Sequence, residues 1–330
     1  MKTNLTINIG KDEYGANLAI DLSKIKHLLM TGSTGSGKSV LLHKIITTLI
    51  SNNSPEDLRL ILIDPKRVEM TLYKNIPYLL TETIVDPRKA VLAMKWATKE
   101  IDRRFDILNT SDCKDISQYN GLESIAPILI VIDEFSDLMQ TYPKEVEPLV
   151  LKIARIGHSV GIYIIISTSR PSTKIYTKAI QDAFTSRIGL QTASSVDSRL
   201  IIGTDDASTL RGAGDILFRM GMKYVIRGQV DFISEYDIKI LVKALSDKYA
   251  DSVRSDINTA DSYLDDSDDK DDLYESAKEA AIAAGKISTS YLQRKLGTGY
   301  SRSAQLMDML EKRGVIGPAN GSKPREVIGK

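Results

Sequence analysis

A single cysteine, Cys113, in a chain of 330 residues leaves no internal disulfide to be made. The three histidines, His27, His43 and His158, stand far apart with no cysteine beside them, so the ligand spacing of a structural zinc site is missing as well. No run approaches the roughly 18 uninterrupted apolar residues of a spanning helix, and residues 1–20 lack the zones of a secretion signal. These absences exclude a disulfide scaffold and give a cytoplasmic expectation with no direct membrane span. Internal repeats are absent too.

Net charge is almost absent, since 44 Lys and Arg face 43 Asp and Glu for a total of +1. The balance conceals two opposite blocks. From Asp251 to Asp272 nine aspartates face only Arg254 and Lys270, a net of −7, whereas Lys286 to Lys330 carries nine Lys and Arg against three acids, a net of +6. A run such as 266–272 repels itself and cannot build a core, so it predicts a tether followed by a module suited to a polyanion. The expected layout is a first domain over 1–249 with a short N-terminal hairpin, an acidic linker over 250–271 and a small domain over 272–330. At 42% apolar and 26% charged, the chain has the composition of a globular protein large enough for more than one folded unit.

What is present in the first domain is alternation of strand-like and helix-like segments. Lys26–Thr31, Leu58–Ile63, Ile128–Ile132 and Ile162–Ser167 are compact β-branched runs. Val40–Ile50, Ala90–Leu108 and Glu145–Ile156 carry the helical period between them. The pattern predicts an α/β fold, a mostly parallel sheet covered on both faces. Shorter runs at Ser186–Leu190, Ile216–Phe218 and Tyr224–Arg227 extend it, residues 2–20 with a turn at Tyr14-Gly15-Ala16-Asn17 predict a hairpin, and a helix around Glu235 to Tyr249 closes the domain.

Between the first of these strands and its helix stands Gly32-Ser33-Thr34-Gly35-Ser36-Gly37-Lys38-Ser39, a complete G-x-x-x-x-G-K-S loop. Its glycines free backbone N–H groups to surround phosphate oxygens, and the helix that follows presents its positive end. ATP with Mg²⁺ is the expected cofactor pair, bound by Gly32 through Ser39 with Val40. Lys38 is assigned to the β- and γ-phosphates and Ser39 to the metal. Asp133 and Glu134 follow the apolar strand 128–132 and supply a second metal ligand and a group able to polarise water. That pair favours water over a metabolite as phosphoryl acceptor. Thr168 or Ser169, at the end of the third strand, is placed to sense the γ-phosphate or the attacking water, Arg170 to fix the loop, and Asp64-Pro65-Lys66 is a further polar group at the same edge.

In the last 60 residues Leu273–Ala284, a stretch capped by Ser288 or Thr289 and running to Leu296, and Ser301 to Lys312 read as three short helices. Val315-Ile316, the turn Asn320-Gly321 and Arg325–Ile328 read as a hairpin. Together they describe a winged helix-turn-helix. The second helix of the helix-turn-helix pair, Ser301 to Lys312, would enter a DNA major groove and bring Ser301, Arg302 and Gln305 to base edges, while Arg294, Lys295 and Lys323 would hold the phosphate backbone.

The ordered set of these motifs resembles the FtsK/SpoIIIE family of double-stranded DNA translocases. The resemblance is carried by His27-Leu28-Leu29-Met30 before the loop, Asp64-Pro65-Lys66 with Ile76-Pro77-Tyr78-Leu79-Leu80, and Val131-Ile132-Asp133-Glu134-Phe135-Ser136-Asp137-Leu138-Met139. Thr168 with Arg170-Pro171, Asp197-Ser198-Arg199 and Gly212-Ala213-Gly214-Asp215-Ile216-Leu217 continue it. It covers about residues 5–245, and 287–304 resembles the winged-helix γ domain of that family.

The resemblance implies a RecA-like motor that assembles into a ring, most simply a hexamer, around duplex DNA. It also implies a γ domain that reads short directional sequences, and service in chromosome or DNA segregation with a recombinase or segregation factor as a further partner. Conjugative or phage DNA delivery and a nucleotide-switched DNA-binding regulator are the alternative readings. The membrane anchor and upstream α domain of the family have no counterpart in these residues. Ser169 stands where many members carry glutamine, His158 where relatives carry arginine, and Ser301 where asparagine is common. Arg155, close to His158, is the candidate for an arginine reaching a neighbouring subunit.

Overall fold

The computed structural model describes residues 3–119, 121, 125–221, 224–250 and 273–298, with 303, 306–307, 309–311, 314–318 and 324–328. The chain divides into two compact units, Met1–Thr259 and Ala260–Lys330. Apart from Ala250, the acidic stretch 250–271 lies outside the described residues. Among the described residues no helix is long and apolar enough to cross a membrane.

The first unit is built on nine strands: β1 (Thr6–Asp12), β2 (Asn17–Asp21), β3 (Leu28–Thr31), β4 (Arg59–Ile63), β5 (Ile128–Ile132), β6 (Ile162–Thr168), β7 (Arg187–Leu190), β8 (Asp215–Met220) and β9 (Tyr224–Val230). They form one sheet in the order β2-β1-β9-β8-β7-β3-β6-β5-β4. The strands β4-β5-β6-β3-β7 run parallel. From β7 outward every pairing is antiparallel. The expected mostly parallel sheet is therefore parallel only in its nucleotide-bearing half. Three residues separate β8 from β9, far too few for the crossover that a parallel pair needs, so the two must return as a hairpin. The predicted N-terminal hairpin is present as β1 and β2.

The helices are α1 (Leu22–Ile25), α2 (Lys38–Asn52), α3 (Pro87–Thr110), α4 (Phe135–Thr141), α5 (Pro143–Ile156), α6 (Lys178–Ala183), α7 (Ser195–Ile201) and α8 (Glu235–Lys248). Alternation along β5 divides them into two layers. Ile128, Ile130 and Ile132 face a core with Met94 and Ile101 of α3, Leu138 of α4 and Val150 of α5. Leu129 and Val131 face the opposite core with Leu41, Ile45 and Leu49 of α2 and Ile238 of α8. Both sides of the central strands are dry, which is why they read as unbroken apolar runs. Local signals fix the helix starts: Asp86 caps α3 ahead of Pro87, and Ser234 with Asp237 makes a reciprocal capping box on α8.

The second unit contains α9 (Tyr274–Ala284), β10 (Lys286–Ile287), α10 (Thr289–Leu296) and β11 (Arg325–Glu326). Ala277, Ala281, Leu292, Leu306, Leu310 and Ile316 form its core. Ser288 caps α10 by accepting from the Tyr291 N–H, and Gly297 ends the helix in the left-handed region at φ 66°. The predicted hairpin gains a strand that two residues are too short to announce: β10 pairs antiparallel with β11, while Ile316 bridges Val327. The expected turn at Asn320-Gly321 lies outside the described residues.

Candidate active site

In a parallel α/β sheet the loops after the strand C-termini meet at one edge, and here those loops follow β3, β4, β5 and β6. They enclose a cavity of about 490 Å³ lined by Ser33 to Gly35, Gly37 to Val40, Lys66, Val68, Glu69, Asp133, Glu134, Ser169, Ala213, Val230 and Phe232. Of the predicted nucleotide residues, Gly32 and Ser36 stand behind the wall rather than on it. A Cβ at Gly32 would lie 2.7 Å from the Leu190 side chain, so that glycine is a packing requirement. The loop turns inward through Gly35 and Gly37, whose φ values of 83° and 98° suit glycine. The first turn of α2 has no side-chain cap and no acidic residue, which leaves its N–H groups facing an anion site.

Lys38, Lys66, Ser39 and Ser167 at this edge are each tied to a carboxylate. Lys38 Nζ donates to Asp133 Oδ1 at 2.6 Å, and Ser167 Oγ donates to the same oxygen at 2.5 Å. Lys66 Nζ donates to Glu134 Oε2 at 2.6 Å. Ser39 Oγ donates to Glu69 Oε1, and His43 Nε2 meets Glu69 Oε2 at 3.0 Å. The His43 and Ser39 hydrogen bonds hold the Glu69 carboxyl below its ordinary range against the opposing effect of burial.

Glu134 is the most heavily bonded of these acids. Besides Lys66, its carboxylate accepts from the Thr168 hydroxyl, from Ser136 Oγ at 2.8 Å, and from Ser169 through both N–H at 3.0 Å and Oγ at 2.6 Å. Burial alone would raise its carboxyl, but the Lys66 ammonium and the Ser169, Thr168 and Ser136 hydroxyls outweigh it and hold the group far below the usual carboxylate range. Its backbone sits at φ 51°, a left-handed conformation that costs a non-glycine residue about 1–2 kcal/mol. Thr168 therefore reaches the site through Glu134, whereas Ser169 does so directly.

Alternation along β6 explains a residue that sequence reasoning passed over. Ser167 points to Asp133 and Thr168 to Glu134, so adjacent strand-end residues serve the two acids separately. Glu69 was also missed, because it lies in an irregular stretch with no motif of its own. Its signal was position: the stretch follows β4 at the active edge. Fully buried Asp64 organises that stretch by accepting from the N–H groups of Lys66, Val68 and Met70, which presents Lys66 and Glu69 to the cavity.

A second loop closes on the phosphate loop from behind. Gly214 N–H donates to the Ser36 carbonyl at 2.8 Å, and a Cβ on Gly37 would lie 2.4 Å from the Gly214 nitrogen. Asp215, buried beside this loop, binds the guanidinium groups of Arg227 and Arg211. Burial opposes its ionisation, but those arginines push its carboxyl down to about 2.

The remaining predicted residues stand elsewhere. Arg155 is exposed near the end of α5, in a groove with Glu147, Leu151 and Ile156 rather than in the nucleotide cavity. Arg294 and Lys295 are exposed in the last turn of α10, where positive charge also suits the helix end. Ser301, Arg302, Gln305 and Lys323 lie outside the described residues.

The donors fit the expected cofactor. Ser39 and Asp133 offer hard oxygen ligands of the kind Mg²⁺ takes. Among the described residues no three His, Cys, Asp or Glu side chains cluster as a metal site.

Comparison with known proteins gives two family matches: the FtsK/SpoIIIE family over residues 1–125 and the Ftsk gamma domain over 268–330. A DNA translocase FtsK of Clostridium tetani is 40% identical over 98% of this chain and 45% of its own length. One from Caldanaerobacter subterraneus subsp. tengcongensis is 39% identical over 99% of this chain and 47% of its own. The chain thus spans just under half the length of these curated relatives. Among solved structures, the pCW3 conjugation coupling protein TcpA with ATPγS aligns at a TM-score of 0.65 and 25% identity, covering 74% of this chain and 71% of that one. The cytoplasmic domain of the Thermomonospora curvata type VII secretion ATPase EccC aligns at 0.63 and 24% identity, over 74% and 31% respectively, a likeness of fold.

Proposed function

The chain belongs to the FtsK/SpoIIIE family, and from that premise we propose that it is the ATP-hydrolysing motor and DNA-reading tail of a double-stranded DNA translocase acting in chromosome segregation. The observation that carries the proposal is the meeting, at one sheet edge, of the phosphate loop after β3 with Asp133 and Glu134 at the end of β5, two strands away across β6.

Bound ATP would take the inward N–H groups of the loop and draw Lys38 from Asp133 to its β- and γ-phosphates. Val40, Val68, Val230 and Phe232 supply an apolar wall for the base. Ser39 and Asp133 would hold Mg²⁺, which supplies charge neutralisation between the phosphates. Phosphoryl transfer needs positioning and electrostatics more than a strong base, so the low basicity of Glu134 is compatible with orienting the attacking water. Ser169 and Thr168 keep that carboxylate aimed, and the loop at 211–215 passes any shift of the phosphate loop to β8 and β9.

The wider assembly belongs to the same proposal. A ring, most simply a hexamer, encloses duplex DNA, and Arg155 reaches the nucleotide of the next subunit. Residues 250–271 form a linker between the motor, 1–249, and the winged helix, 272–330, in which Arg302, Ser301 and Gln305 read bases while Arg294, Lys295 and Lys323 hold phosphates. A recombinase or segregation factor is the further partner. In this reading the motor works in the cytoplasm, where ATP is supplied. Relatives at 39–40% identity named as FtsK favour segregation over conjugation, the task named for the 25% identical coupling protein.

The test is displacement of a triplex-forming strand from duplex DNA. The assembled protein is expected to strip the third strand with ATP and to leave it in place with a non-hydrolysable analogue. DNA-stimulated hydrolysis without displacement would sink translocation while leaving the ATPase intact.

A further inference from the structure

We propose that Glu69 is a positioning residue for the metal: it accepts the hydrogen bond of the Ser39 hydroxyl and so turns the lone pairs of that oxygen toward Mg²⁺. The proposal rests on the nucleotide reading above and deepens it. A serine hydroxyl has one proton and two acceptor lone pairs, and its proton rotates freely unless an acceptor captures it. A proton aimed at the cation would oppose coordination. Here Oε1 of Glu69 receives it, and accepting that hydrogen bond leaves Ser39 Oγ more electron-rich as a ligand.

Three features hold the carboxylate to this task. Ser39 and His43 are four residues apart and share one face of α2, so a single carboxylate spans both, Oε1 on the serine and Oε2 on the imidazole. The other ring nitrogen of His43 meets the Tyr73 hydroxyl at 2.9 Å, and both His43 and Tyr73 are buried, which fixes the ring. A carboxylate can only accept, so Nε2 carries a proton toward Glu69. On the other side, Asp64 pins the backbone of 66–70 that carries Glu69. Glu69 nonetheless lines the cavity, so it faces the nucleotide and is no mere core contact.

The experiment is equilibrium binding of a fluorescent ADP to the 330-residue chain, titrated with Mg²⁺ and repeated in EDTA. For Glu69→Ala the Mg²⁺ concentration giving half-maximal enhancement should rise by about 10- to 100-fold, with affinity in EDTA within about twofold of wild type. Glu69→Gln, whose amide oxygen still accepts from Ser39, should shift less in the same direction and carries the test if the alanine variant fails to fold. Mn²⁺ bound with ADP, read by its paramagnetic resonance, should show the same weakening. An unchanged metal requirement, or an equal loss of affinity with and without metal, would overturn the role of Glu69. Wild-type protein that binds no ADP would instead overturn the nucleotide reading, and the proposal with it.

Discussion

The two ends of β3 both bury polar chemistry and treat it in opposite ways. Past its C-terminal end, Lys38, Lys66 and Ser39 each have a carboxylate partner within hydrogen-bonding reach. Before its N-terminal end, His27 is more deeply buried than any of these three and only half satisfied. Its Nδ1 accepts from the Ile164 N–H at 3.1 Å, which leaves the proton on Nε2, and that atom has no partner among the described residues; nor does Nδ1 of His158, whose ring lies 5.9 Å away. Burial, with the His158 and Lys26 charges, pushes His27 down to about 3, so it stays neutral in the fold. Charge is retained inside the protein where an anionic ligand gives it work, and suppressed where packing alone is at stake.

The largest effect that tests the charged end comes from Glu134→Gln. Single-turnover ATP hydrolysis should fall by about 10²–10⁴-fold while ATP binding persists; an unchanged rate would reduce the five contacts of Glu134 to scaffolding. A smaller effect belongs to the apolar wall of the same cavity. Phe232 is 79% exposed, an unusual state for a phenylalanine that a stacked base would relieve. Phe232→Ala should weaken ATP binding by about 10-fold or somewhat more, as loss of one base-stacking platform does, with little change in the affinity for inorganic triphosphate. Equal losses for both ligands would move the base elsewhere.

The other end of β3 is probed by pH. Because the folded His27 sits below its ordinary value of 6.5, the unfolded chain binds the extra proton. Its contribution is intact above about pH 6.5 and drains away as pH falls toward 3, at up to about 1.4 kcal/mol per pH unit. His27→Gln should flatten the slope of unfolding free energy between pH 6.5 and 5 by about one proton. An unaltered slope would mean that the imidazole is not held neutral and would erase the contrast.

The sequence and the fold agree best where chemistry and pattern coincide. The run 28–31, the loop at 32–39 and the acids after 128–132 were legible because a buried strand, a glycine-rich turn and a charged strand end each leave a local mark. Strand direction left none, since Ile216–Phe218 alternates the same way whichever neighbour it meets. The short gap before Tyr224 was the available clue. Glu69 was hidden for a different reason: its partners, Ser39 and His43, arrive through packing of α2 against an irregular segment, and period carries no information about such a meeting. Ser167 was read as the last strand residue, and only side-chain direction in the folded sheet separates its work from that of Thr168.

The approach of Gly214 to Gly37 has a mechanical meaning. With no room for even a methyl group between the two backbones, and a hydrogen bond across them, the segments on either side of the nucleotide cradle mesh without clearance. A stroke begun at the phosphates cannot be absorbed as slack there. It must either be transmitted to the antiparallel half of the sheet or break the joint.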